Sequence, residues 1–107
     1  MPQFLLELGL NRPAMTEEPT DAELALVIKH FAYWQDLVQQ GKALVVGRTQ
    51  DECPNGYTIF IADNEEHAEL IAERDPAVGR VFNYVVRPYK VSFIGDLTAF
   101  RPESNLK

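Results

Sequence analysis

His30 is the one side chain in this sequence that combines neutral-pH proton chemistry with a place where an apolar group is expected. A helix is predicted from about Asp21 to Gln40, each residue turning it by roughly 100°. On that projection Tyr33, Leu26, Leu37, Trp34, Val27, Val38, Phe31, Leu24 and Ile28 fill an arc of about 220°. His30 falls inside the arc, between Leu37 and Trp34, whereas Lys29, Asp36, Gln39 and Gln40 occupy the wetter side. An imidazole so placed needs a hydrogen-bond partner or a position at the mouth of a pocket, because a buried polar group without either is costly. Both outcomes are open at this point: a satisfied semi-buried histidine, or a general acid/base facing a ligand.

The other reactive side chains carry less. His67 stands beside carboxylates in Glu65-Glu66-His67 on a short helix and reads as solvated. Cys53 lies in the polar loop Asp51-Glu52-Cys53-Pro54-Asn55-Gly56. A nucleophilic thiol wants a nearby cation, and the charges here are acidic, so Cys53 reads as an incidental loop thiol. One cysteine also excludes an internal disulfide and any multi-cysteine metal site. The two histidines belong to different helices and form no spaced cluster, so no metal is expected. Phosphate loops, dinucleotide fingerprints and Ser-His-Asp orders are missing from the sequence, and no cofactor is expected.

Composition narrows the partners. The chain is 46% hydrophobic and 24% charged with a net charge of −6, an ordinary balance for one globular domain. Binding to duplex nucleic acid needs a basic face that displaces counterions, and no Lys/Arg cluster exists to provide it. No apolar run reaches the roughly 20 residues that span a bilayer. The start, Met-Pro-Gln-Phe-Leu-Leu-Glu, reads as a first strand and not as a signal peptide, which makes the cytoplasm the expected location.

The elements that must position His30 follow from periodicity and caps. Gln3–Leu8 alternates as a strand. A long loop, Gly9–Pro19, follows, of a length that often belongs to a site. Thr20-Asp21-Ala22-Glu23 fits a capping box at the helix start, and Gly41 ends the helix. Ala43–Arg48 and Tyr57–Ala62 are predicted strands joined across Pro54-Asn55-Gly56 as a hairpin. Asp63 or Asn64 caps a second helix, Glu65–Arg74, closed by Asp75-Pro76. Val81–Phe93 is extended, with a parity change at Arg87-Pro88 that predicts a bulge or break there. Residues 98–107 are expected to form a weakly structured tail behind a single domain, 1–97.

Strand, helix, strand, strand, helix, strand is the order of a ferredoxin-like α+β fold with an antiparallel sheet. Two helices cover one face of that sheet. Leu5, Val45, Ile59, Phe60, Leu44 and Ile61 nevertheless place apolar groups in both strand phases, so the second face is also expected to be buried. A homodimer packed sheet to sheet is the expected solution.

The run His30-Phe-Ala-Tyr-Trp-Gln-Asp-Leu-Val-Gln-Gln-Gly41-Lys-Ala-Leu-Val-Val-Gly47 resembles the first helix and second strand of YciI-like proteins, the YCII-related domain. Asp75-Pro76-Ala77 resembles that family's Asp-Pro-aromatic signature, and Val85-Val86-Arg87-Pro88-Tyr89 its closing strand. The similarity runs over residues 3–94. It implies a ferredoxin-like fold paired as a dimeric α/β barrel, with a cleft histidine and aspartate that map onto His30 and Asp75. It further implies a small-molecule enzyme related in fold to muconolactone isomerases. The chain departs from the pattern at Gly47-Arg48, where many members have Gly-Pro, at Ala77, and at Gln39 and Gln40, where an acidic residue is common. Those departures leave the substrate open.

On this resemblance Asp75 would fix the tautomer of His30 and stabilise the imidazolium formed when it takes a proton. Such a base typically gives about 10²- to 10⁴-fold acceleration. Arg48 or Arg12 would hold a carboxylate or phenolate of a small anionic or aromatic substrate, and Trp34 and Tyr33 would form the apolar wall. Without the resemblance, Asp75 reads as a turn residue before Pro76 and Arg48 as a strand-end charge. The reaction would be that of an isomerase, lyase or hydrolase; the other readings are a small-ligand-binding regulatory dimer and a scaffold.

Overall fold

Alternation decides the central strand: in β1 (Gln3–Leu10), Phe4, Leu6 and Leu8 are buried under the helices, while Gln3, Leu5 and Glu7 face the other way. The computed structural model of the protein describes residues 1–95. The tail expected from Thr98 lies outside the described residues. The remaining elements are α1 (Asp21–Gln39), β2 (Ala43–Arg48), β3 (Gly56–Ile61), α2 (Glu65–Glu73) and β4 (Phe82–Tyr89), with a short 3-10 turn at Pro13–Thr16. The strands form one antiparallel sheet in the order β2-β3-β1-β4. This is the ferredoxin-like α+β arrangement. The loop expected at Gly9–Pro19 thus gives two residues to β1 and four to the 3-10 turn.

Both helix boundaries of α1 are set by side chains and by one glycine. Thr20 Oγ1 accepts from Glu23 N at 3.0 Å, and Glu23 Oε1 accepts from Thr20 N at 2.8 Å, the reciprocal capping box. At the other end Lys42 N donates to Leu37 O and Gly41 N to Val38 O, at 2.8 and 3.0 Å, closing the last turn. That closure requires the left-handed backbone that Gly41 adopts, φ 77°. Asn64 caps α2 by accepting from His67 N at 2.8 Å. His67 in turn accepts from Asp63 N through Nδ1 at 3.0 Å, so it belongs to this local cap.

The register corrects one expectation. β4 pairs with β1 without interruption from Phe82↔Leu10 to Tyr89↔Gln3, straight through Pro88. β4 is an edge strand, so the amide that Pro88 lacks is not needed by a second neighbour. Val85, Arg87 and Tyr89 simply share the open face, and the strand ends at Tyr89. The irregularity falls in β2 instead, between Ala43 and Val45.

α1 buries a narrower stripe than its composition offers. His30 and Trp34 are its buried residues, whereas Leu24, Ile28, Phe31 and Val38 are exposed. One helix resting on one sheet can cover only the side that faces it. Val45, Tyr57, Val85 and Tyr89 are exposed on the helix-free face of the sheet.

The Glu23 carboxyl is held down to about 2 from an ordinary 4.5, first by its hydrogen bond to Arg12 and then by the Thr20 amide. Because the folded value is depressed, the stabilisation is complete above about 4.5 and is lost as pH falls through about 2. An NMR titration of the Glu23 side-chain carbon is expected to show its midpoint near 2. A midpoint in the ordinary carboxyl range would remove the Arg12–Glu23 clamp from the account.

Candidate active site

His30 and Trp34 are four residues apart on α1 and therefore stand one above the other on the same helix face. Their ring nitrogens converge on a single oxygen. Asp75 Oδ2 lies 2.5 Å from His30 Nδ1 and accepts from Trp34 Nε1 at 2.8 Å. Asp75 arrives from the opposite side, just beyond the C-terminus of α2, where its own amide still donates to Ala72 O. Its second oxygen, Oδ1, accepts from Ala77 N at 2.9 Å. The Ala77 carbonyl gathers the amides of Arg80, Val81 and Phe82 behind it, so the turn carrying the carboxylate is closed on itself. Asp75 is 1% exposed and His30 6%, and all three donors to the carboxylate come from fixed backbone or packed rings.

This bonding assigns the proton of the neutral imidazole to Nδ1, since the carboxylate can only accept. Nε2 is then the basic atom, and it has no hydrogen-bond partner among the described residues. Phe82 and Phe31 pack against the ring, each tilted by 57°, with centroids 4.9 and 5.3 Å away.

His30 borders a cavity of about 740 Å³, a size that fits a small-molecule ligand. β1 gives it Leu8 and Leu10, the 3-10 turn Met15 and Thr16, and α1 Val27 and Phe31. β2 gives Val46, Gly47 and Arg48; the β2–β3 loop gives Gln50, Pro54 and Asn55; β3 gives Gly56 and Thr58; β4 gives Phe82. The topology explains this gathering: in the antiparallel sheet the C-terminal ends of β1 and β2 and the N-terminal ends of β3 and β4 lie along one edge.

Among the described lining residues Arg48 is the cation, and none is acidic. Its guanidinium makes one long contact, Nη1 to Thr49 O at 3.4 Å, and no carboxylate pairs with it among the described residues. Arg12, expected beside it, is committed elsewhere: Nε and Nη2 grip Glu23 at 2.9 and 2.7 Å, and Nη2 also donates to Glu18 O. Trp34 and Tyr33, expected as the apolar wall, lie behind the site. Trp34 is 1% exposed and packs its ring edge on Phe60, and Tyr33 donates through its hydroxyl to Ile71 O at 2.6 Å. Burial raises the Tyr33 phenol above its ordinary value, so it stays a donor. The wall itself comes from Phe82, Phe31, Leu8, Leu10, Met15 and Val27. Sequence reasoning passed over Phe82, Gln50 and Asn55, although the predicted strand order already put all three at that edge of the sheet.

Cys53 is a free, exposed thiol, and no group of three or more potential metal ligands occurs among the described residues. No helix there is long and apolar enough to cross a membrane.

Residues 6–90 match the family model of the YCII-related domain. The chain belongs to the YCII-related domain family. The resemblance read from the His30–Gly47 run and from Asp75-Pro76 is borne out at that level. The fold of this YCII-related domain is similar to 5-chloro-2-hydroxyhydroquinone dehydrochlorinase (TftG) from Burkholderia phenoliruptrix AC1100, solved in complex with 2,5-dihydroxybenzoquinone. The TM-score is 0.60 at 21% identity, over 81% of this chain and 93% of that one. Among curated proteins, none gives a significant sequence match.

Proposed function

We propose that this YCII-related domain is an enzyme that uses His30 and Asp75 for general acid/base chemistry on a small, aromatic, oxygen-bearing substrate. The observation that carries the reading is the 2.5 Å contact of His30 Nδ1 with a carboxylate that is already held by two other donors. It leaves Nε2 as the one basic atom of the pair, on a residue that borders the cavity.

In this reading Nε2 takes a proton from carbon or oxygen of the substrate, and Asp75 stabilises the imidazolium so formed. Electrons released by that step move into the ring, driving isomerisation or loss of a leaving group. Arg48 pairs with an anionic group that the substrate carries, and Phe82 and Phe31 lie against the base. An elimination suits the parts, and the structurally similar dehydrochlorinase, by its name, acts on a chlorinated hydroxyhydroquinone.

The functional unit in this reading is a cytoplasmic homodimer. Its partner copy covers the helix-free sheet face, where Val45, Tyr57, Val85 and Tyr89 stand exposed. Sedimentation at twice the chain mass of 12.1 kDa is the result this requires.

The test uses 2,5-dihydroxybenzoquinone and 5-chloro-2-hydroxyhydroquinone as probes. Binding of the first is expected to move the backbone amide signals of Phe31, Thr58 and Phe82. The protein is expected to speed exchange of ring hydrogens for deuterium, or release of chloride from the second. Binding without exchange or release would favour the regulatory ligand-binding dimer, and neither would end the proposal.

A further inference from the structure

The cavity has two chemically different ends, and only one of them is used by the His30–Asp75 pair. His30 packs at a tilt against Phe82, the first residue of β4. Arg48 is the last residue of β2. These strands are the opposite edges of the sheet, three strand spacings or roughly 14 Å apart. Between the two ends the floor is apolar, from Leu8 on β1 and Val46 on β2.

The β2 end carries polar groups that the protein itself does not use. Beside Arg48, the side chains of Gln50 and Asn55 border the cavity, and neither has a hydrogen-bond partner among the described residues. Both side chains are exposed, and Thr49 clasps the backbone of the loop that carries them. Its amide donates to Asn55 O at 2.9 Å, and its hydroxyl accepts from Asn55 N at 2.9 Å and donates to Asp51 Oδ1 at 3.1 Å. A forked cation with two amides on a closed loop is a donor set for a planar oxyanion.

We infer that Arg48, Gln50 and Asn55 form a carboxylate-binding subsite at the far end of the cavity, so that the ligand is a single aromatic ring carrying a carboxylate away from His30. The inference rests on the proposed reading for the role of His30 at the other end. It adds the class of ligand and the loop that selects it. In this arrangement the ring lies on Leu8 and Val46, with its hydroxyl or acidic C–H turned to His30. The carboxylate replaces water on the guanidinium, and the two amides complete its coordination.

The experiment compares 4-hydroxybenzoate with phenol, two probes that share the ring and hydroxyl and differ in the carboxylate. Isothermal titration of the wild-type protein is expected to give 4-hydroxybenzoate about a tenfold advantage or more, the size of a charge-assisted hydrogen bond. Arg48→Gln is expected to erase that advantage while phenol binding stays the same. Arg48 is exposed, so the variant is expected to fold. In the wild type, only the carboxylated probe is expected to shift the side-chain amide signals of Gln50 and Asn55. An unchanged ratio in Arg48→Gln, equal binding of both probes, or no binding of either at millimolar concentration would overturn the subsite. His30→Ala separates this from the catalytic reading: it must preserve the ratio even if it abolishes exchange chemistry, and a lost ratio there would also count against the subsite.

Discussion

Asp75→Ala is expected to destabilise the domain by about 3–5 kcal/mol, the usual size of breaking a buried pair by removing one partner. The carboxylate is 1% exposed and accepts from three separate places: His30 on α1, Trp34 on α1 and the Ala77 amide in its own turn. Truncation strands all three donors around a hole. Each unsatisfied buried donor costs about 1–3 kcal/mol, and only the His30 side of the hole borders a cavity through which water can enter. The bond also ties α1 to the end of α2, beside the hydrogen bond from Tyr33 to Ile71 O. For a domain this size a loss of that order lowers Tm by about 15 °C or more, measurable by calorimetry or circular dichroism. A shift of only a few degrees would show that packing, not the carboxylate, holds the helices together. Asp75→Asn is the milder control: it keeps an acceptor for one ring nitrogen and turns an amide toward another donor, so its loss should be smaller.

The same carboxylate shows how far the residues alone lead. Local signals with a local mechanism were readable: the Thr20–Glu23 box, Gly41 after α1 and Asn64 before α2 each satisfy neighbours within a few positions, and each is found in place. Alternation in Phe4, Leu6 and Leu8 placed the first strand and its buried face. Parity misled at Arg87-Pro88 because it assumes that one face is wet. Here the open face accepts Val85 and Tyr89 as readily as the core side accepts Val86, so a change of phase needs no bulge.

The site was legible in part. A helical projection puts His30 and Trp34 on the buried side, and spacing alone sets them one turn apart. That they meet on one oxygen of a residue 45 and 41 positions further along depends on how two helices lie across the sheet. Arg12 and Arg48 look alike in sequence, each a cation in a loop or at a strand end. What separates them is Glu23, which takes up Arg12 and has no counterpart beside Arg48 among the described residues. Trp34 and Tyr33 were placed correctly in the interior but on the wrong side of the imidazole. A wheel gives direction from the helix axis, and it cannot tell a pocket from the core behind it.

His30→Ala separates catalysis from architecture, and turnover is expected to fall by about 10²- to 10⁴-fold, the usual contribution of a positioned acid/base. The variant leaves Asp75 with the Trp34 and Ala77 bonds, and the vacated space opens on the cavity, where water can occupy the position of Nδ1. Its stability loss is therefore expected to be well below that of Asp75→Ala, about 1–2 kcal/mol for one lost buried hydrogen bond and its packing. Ligand binding should persist, because Arg48 and the apolar floor remain. The informative pattern is a collapse of kcat with KM little changed, in a protein whose melting curve stays cooperative. Adding imidazole to the His30→Ala protein should restore part of the rate, since the vacated space borders the cavity and the carboxylate that orients the ring is still there. A rate within a few-fold of wild type would take the base out of the mechanism, and a loss shared equally by kcat and stability would reduce His30 to a structural residue.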